Sequence, residues 1–433
     1  MLKRFSNIIC FIGLFGISVF AQDPIEQAKA DVHILTSKEF AGRGFTFDGN
    51  KKAEEFLIER FKKIGLEPVD GKYGQPFNME LNIVDGVPQL SVNNQQLKIG
   101  SDFLPNSVTG SGSIDGDTPI YYVKSGLYIK EKGINDYSGV TSKSAVLIFE
   151  DEVPDSIKAD TTIDSRRYST ATRLRNAEVL QAKGVIFLVK RLMFAEPYIR
   201  KDFPVFDVLR TSLPMPVETI SYKVKSSFND VEPENLIGTI PGLIESDSTI
   251  IICAHYDHLS AFADTVYFPG ANDNASGTAM LLSLAQYFKI NHPRHKIIFI
   301  AFSGEEEGLI GSKYYSEHPI FTLNKTVFLV NLDMVASGND GIMAVGGVDY
   351  PDFYSKLKTV NDSLNLGPLY KRACAPNSDQ YFLSVKGVKT FYLYTNQGKQ
   401  PYHNIQDVDS TLDWKAFNHT LLLVKGFIKA IDN

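Results

Sequence analysis

Cysteine is scarce in this chain: three occur in 433 residues, at Cys10, Cys253 and Cys374. So few make no disulfide framework, and stability must come from buried apolar cores. Cys253 lies inside an apolar run and reads as a small buried hydrophobe rather than half of a bridge. An excess of one charge is lacking too. Lys and Arg number 44 against 50 Asp and Glu, a net charge of -6. With no long run of like charge, this excludes a basic nucleic-acid footprint and a charged binding tail. Past the first two dozen residues no apolar stretch is long enough to span a bilayer, and neither internal repeats nor low-complexity tracts occur.

What is present is the composition of a globular protein, 43% hydrophobic and 22% charged, long enough for two or three domains. Lys3 and Arg4 precede an apolar stretch ending in Val19-Phe20-Ala21. Short side chains at Val19 and Ala21 favour cleavage after Ala21, so residues 1–21 are expected to be a secretory signal peptide. The mature chain is then exported, periplasmic or extracellular, with no remaining membrane span.

Residues 24–38 read as a helix, followed by a turn at Ala41-Gly42-Arg43-Gly44 and a second helix over 52–64 that Gly65 ends. From about residue 86 the texture changes to short strands separated by Gly, Asp, Asn and Ser, with one helix expected over 171–183. None of the eight histidines falls between 86 and 229. From 233 onward strands alternate with helices. Strands are expected at 249–254, 296–302, 326–332, 341–345 and 390–394, and helices at 276–291, 309–317, 351–364, 378–385 and 412–431, the last carrying the single tryptophan, Trp414. The expected organisation is α/β: a mixed central sheet flanked by helices, built from 22–85 and 233–433, with a mostly β insert over 86–232.

Chemistry concentrates where these strands end. Ile250, Ile251 and Ile252 lead into His255 and Asp257, and Asp273 stands just before a helix start. Glu305 and Glu306 follow a second apolar strand, and Asp333 closes a third. Strands buried on both faces read as continuous apolar runs, so acids gathered at three corresponding ends require a shared site. In open α/β sheets that site lies beyond the carboxyl ends of the strands. Nitrogen and carboxylate donors without thiolate suit zinc in a hydrolytic role, with manganese or cobalt as alternatives since selectivity also follows availability, and a bridging carboxylate, for which Asp273 is placed, would hold two ions.

The ordered motifs AHYDH, GANDNASG, FSGEEEGLIGS, NLDM and PYHN closely resemble the zinc aminopeptidase family that includes bacterial leucyl aminopeptidase, aminopeptidase Y and glutamate carboxypeptidase II. The resemblance covers residues 235 to 433, and the AGRG turn with its following helix shares it. It implies the zinc-dependent exopeptidase fold, two zinc ions and a peptide substrate. His255 and Asp333 would bind one ion, Glu306 and His403 the other, and Asp273 both. Glu305 would be the general base, passing a proton from an activated water to the leaving amine. Asp257 would orient His255 through the other ring nitrogen, and a cis peptide would join Asp273 to Asn274. The insert resembles a protease-associated domain, through the Ser144 to Phe149 strand and the Ala177 to Ile186 pattern.

Departures from the family pattern limit the transfer. Gln380 occupies the place of a histidine in Asn377-Ser378-Asp379-Gln380-Tyr381, and no tyrosine stands at the usual oxyanion position, which leaves Tyr370, Tyr381 and Tyr402 as candidates. Glu307 is expected to be solvated, and His33, His292, His295, His318 and His419 to be packing or surface residues; for His258 packing is the first reading and a site role the alternative. Removal of N-terminal residues is the activity implied. The alternatives are a carboxypeptidase, for which Arg372 would supply the cation, a one-zinc enzyme like glutaminyl cyclase, and, from another class, a metal-free binding module.

Overall fold

The computed structural model describes residues 24–195, 199–262, 266–338, 340–396 and 401–432, so the expected signal peptide lies outside the described residues. At its centre is a nine-stranded mixed sheet. Four strands run parallel in the order Lys296–Phe302, Thr249–His255, Thr326–Leu332 and Thr390–Thr395. Glu234–Ile240 joins antiparallel on one side and Ile342–Val345 antiparallel on the other, followed by Leu369–Arg372.

Because side chains alternate along a strand, the Thr249–His255 strand serves two cores. Ile250 and Ile252 face the larger one, shared with Ala28, Leu57, Leu281 and Phe427 from four helices: Pro24–Leu35, Gly49–Ile64, Gly277–Ile290 and Trp414–Ile431. Ile251 and Cys253 face the opposite core with Tyr315 and Leu383, from helices Ile310–Glu317 and Gln380–Val385. Burial on both faces contributes roughly 1.5–3 kcal/mol per isoleucine and holds the strand ends rigidly. Register then aligns the carboxyl ends, with His255 opposite Phe302 and Cys253 opposite Asn331. Both Cys253 and Cys374 are free thiols.

Most elements fall where the apolar periodicity places them. The Leu369–Arg372 strand was not anticipated, since it is largely exposed and carries no alternation of apolar residues. The helix expected from residue 276 is preceded by a wide turn over Ala271–Ser276, whose six residues are all buried.

Between Met79 and Val231 the described residues form two larger sheets, one of five strands and one of four, and a two-stranded pair, Tyr128–Ile129 with Ile134–Asn135. Its long pair, Met79–Val92 with Ile220–Val231, is antiparallel. The apolar core between these sheets contains Leu90, Phe103, Phe206 and Tyr222, and it also takes in Leu259, Phe262 and Phe268 from the loop after the Thr249–His255 strand.

Candidate metal centre

The site is assembled at the carboxyl ends of the parallel strands. Asp273 sits between two imidazoles: its Oδ1 is 3.5 Å from His255 Nε2, and its Oδ2 is 3.2 Å from His403 Nε2. Asp333 Oδ1 approaches the same His255 nitrogen at 3.5 Å, and Glu306 Oε2 approaches the same His403 nitrogen at 3.0 Å. Glu305 also faces the His255 pole, with ligand atoms of Glu305, His255 and Asp333 all within 4.8 Å of one another. The five residues expected as ligands are thus brought together, and Glu305 stands among them.

Supporting bonds aim each donor. Asn331 Nδ2 donates to Ser378 Oγ at 2.8 Å, and Ser378 Oγ donates to Asp333 Oδ2 at 2.7 Å, which leaves Oδ1 toward His255. Gln380 is buried and turned to this chain, accepting from Asn331 at 3.2 Å and donating to the Ala375 carbonyl at 3.1 Å. His255 Nδ1 bonds the Asp257 carbonyl at 3.2 Å, while the Asp257 carboxylate is 3.7 Å from that nitrogen and accepts from the Glu306 amide at 3.2 Å. The turn carrying Asp273 is held from below by the Asp407 carboxylate, which accepts from the Asn272 and Asp273 amides at 3.0 and 3.1 Å. The peptide between Asp273 and Asn274 is cis.

Several of these residues escaped sequence reasoning. His258 is fully buried, and its Nδ1 lies 2.6 Å from Glu306 Oε1, so it is no bystander. Its place inside AHYDH was the available signal. Arg43 is completely buried and donates to five carbonyls, those of Tyr256, Leu35, Pro269, Gly270 and Asp273. Gly42 and Gly44 beside it leave no room for a Cβ, with Leu259 O and Ser260 N each 2.3 Å from where one would stand. Glu307, expected in solvent, is 1% exposed, because the turn from Glu305 to Gly308 folds inward before the helix begins at Ile310. Of the three candidate tyrosines, Tyr402 stacks on His403 with centroids 3.9 Å apart. Tyr370 is exposed on the edge strand and Tyr381 packs on Phe382.

Electrostatics separate the two adjacent glutamates. Burial pushes the Glu305 carboxyl well above the usual range; His255 opposes this, and Glu306 and Asp333 reinforce it. Glu306 is also buried, but His403 and His258 hold it well below. Neighbouring carboxyls whose environments drive them apart mark one as a proton carrier and the other as a persistent anion. At His403 burial opposes the charged form, yet Glu306 and Asp273 push it up to about 11, so an ion binding at Nε2 would displace a proton.

The donor set fits zinc. Among the described residues, the buried atoms His255 Nε2, Asp333 Oδ1 and His403 Nε2 have no hydrogen-bond partner. Orphaned buried donors and acceptors are costly unless something binds them, and these converge on either side of Asp273. All the donors are imidazole nitrogens and carboxylate oxygens, as in hydrolytic zinc sites.

A mixed sheet with helices on both faces and an acid–histidine cluster at its parallel strand ends defines the zinc-dependent exopeptidase fold. Residues 235–428 match the model of Peptidase family M28. Among solved structures, the fold is similar to BSAP, a zinc aminopeptidase from Bacillus subtilis, with a TM-score of 0.70 at 20% identity over 93% of this chain and 94% of that one. It is also similar to the aminopeptidase from Aneurinibacillus sp. strain AM-1, with a TM-score of 0.65 at 19% identity and 93% of each chain covered. Aminopeptidase YwaD of Bacillus subtilis is 36% identical over 113 residues, 26% of this chain and 24% of that protein. A probable zinc metalloprotease of Pyricularia oryzae is 36% identical over 102 residues, 23% of this chain and 18% of its own. The matched segment therefore spans about a quarter or less of those two curated relatives.

Proposed function

We propose that this chain is an exported two-zinc metallopeptidase that removes N-terminal residues from peptides. The observation that carries the reading is Asp273, whose two oxygens face two different imidazole nitrogens. His255 and Asp333 would hold one ion, His403 and Glu306 the other, and Asp273 would bridge them. When bound, the ions supply Lewis-acid activation of water and of the scissile carbonyl.

The remaining chemistry belongs to the chain itself. Glu305, pushed upward by burial and its acidic neighbours, would accept a proton and return it to the leaving amine. Glu306, held as an anion by His403 and His258, is suited to ligation rather than proton transfer. Of the candidate tyrosines, Tyr402, stacked on His403 and 39% exposed, would be the one to meet a substrate carbonyl. The β-rich segment expected over 86–232 would act as a protease-associated-like lobe on one side of the cleft. Export rests on the apolar leader; no helix among the described residues is long and apolar enough to cross a membrane.

The carboxypeptidase alternative would need Arg372, whose guanidinium lies 5.5 Å over the Tyr394 ring. A panel of aminoacyl and carboxyl-terminal peptide substrates, assayed with zinc-stripped and reconstituted protein, separates the two activities. In the same assay Glu305→Gln should keep both ions yet lose at least a hundredfold in turnover, following the roughly 10²–10⁴-fold worth of general acid–base catalysis. Full turnover in that variant would overturn the assignment of the base.

A further inference from the structure

His403 stands in the PYHN loop with a left-handed backbone, φ 50°, unusual for a residue that bears a Cβ. Such a residue needs outside support, and the support comes from the β-rich lobe. His403 Nδ1 meets the Phe194 carbonyl at 2.8 Å, and the Phe194 amide donates back to the His403 carbonyl at 3.0 Å. The next residue, Asn404, donates its side-chain amide to the Leu192 carbonyl at 2.8 Å. Residues 192–194 thus clasp the loop with three hydrogen bonds, between segments more than two hundred residues apart.

The clasp is anchored by aromatic packing. The Phe194 ring stacks on Phe268 at 5.3 Å and meets Phe262 edge-on at 4.9 Å. Both partners belong to the loop that follows the Thr249–His255 strand, and Phe194 itself is 6% exposed. Ile405 packs against the same cluster. One strap of the lobe therefore touches both loops that deliver histidines to the site.

A histidine that donates Nδ1–H to a carbonyl is locked in the tautomer whose Nε2 lone pair is free to ligate. Here that Nε2 is the atom facing Glu306 and Asp273. We propose that the 192–194 strap is a positioning element for the second metal position, so that occupancy there depends on docking of the β-rich lobe. This rests on the two-zinc reading above. Phe194 does not reach substrate; it acts through His403.

The test is graded chelation of the full-length zinc-loaded protein, with bound zinc counted by elemental analysis. Wild type should retain two ions per chain; fewer would remove the reading on which the proposal stands. Phe194→Ala keeps the carbonyl but removes the ring that anchors it on Phe262 and Phe268, and should release one ion at roughly 10-fold lower chelator strength, the lower end of the effect of disturbing an outer partner of a ligand, while holding the other as wild type does. Phe187→Ala, in the separate core on the far side of the lobe, should lower the melting temperature and leave both ions in place. Should Phe194→Ala fail to fold, Asn404→Ala removes the bond to Leu192, together with the one Asn404 Oδ1 accepts from the Gln406 amide within the same loop, and should weaken the same ion several-fold. Wild-type retention of both ions in the folded Phe194 or Asn404 variant, or equal loss in Phe187→Ala, would overturn the proposal.

Discussion

Arg43 offers the deepest test of how the site is built. Its guanidinium donates to five buried carbonyls at 2.6 to 3.3 Å, three of them in the Pro269–Asp273 turn that delivers the bridging carboxylate. Hydrogen bonds from a charged donor contribute about 1.5 kcal/mol each at the low end, or roughly 7 kcal/mol for the five. Against this, burial lowers the Arg43 pKa from 12.5 to about 10, with nearby Asp407 and Asp273 limiting the fall. Keeping the group charged therefore costs about 3 kcal/mol. Arg43→Met should then destabilise the protein by about 4 kcal/mol, in line with the roughly 3–5 kcal/mol typical of breaking a buried charged network. Arg43→Lys, with three donors for five carbonyls, should lie between. Urea unfolding of the chelated protein measures the stability loss, and zinc titration of the folded variants should show both ions weakened through Asp273. A loss under 1 kcal/mol for Arg43→Met, or unaltered zinc affinity, would refute the claim that this side chain organises the turn.

Two further outcomes follow from the same geometry. His258→Phe keeps the ring volume but strips Glu306 of its 2.6 Å partner, and should weaken the ion on the His403 side about tenfold; chelator competition that matches wild type would return His258 to a packing role. Away from the centre, burial raises the Asp207 carboxyl from 3.8 to about 7, the amide of Asn106 opposing it. The folded state therefore holds this proton more tightly than the unfolded chain. The associated stability is complete below pH 4 and is lost as pH rises to 7, so Asp207→Asn should flatten the fall in melting temperature over that window. An unchanged pH profile in that variant would contradict the assignment.

The sequence made some parts of the molecule legible for definite physical reasons. The parallel strands are buried on both faces and so appear as unbroken apolar runs, and polar residues at their ends, His255, Glu305, Glu306 and Asp333, stand out against that background. What stayed hidden depends on contacts distant in sequence. Arg43 sits 213 residues from Tyr256 and reads locally as a turn residue. Asp407 looks like surface until the Asn272 and Asp273 amides are placed above it. Leu192 and Phe194 carry no chemistry of their own, and only the fold brings them against His403 and Asn404. Glu307 misled because acids at a helix start are usually solvated, whereas here the helix begins three residues later.

The central claim is that Asp273 bridges two ions, and anomalous diffraction at the zinc edge from zinc-loaded crystals tests it most directly. The account predicts two peaks per chain, roughly 3.5–4 Å apart, one beside His255 and Asp333, the other beside His403 and Glu306, with an Asp273 oxygen on each. A single peak, or two peaks of which one makes no contact with Asp273, would contradict it.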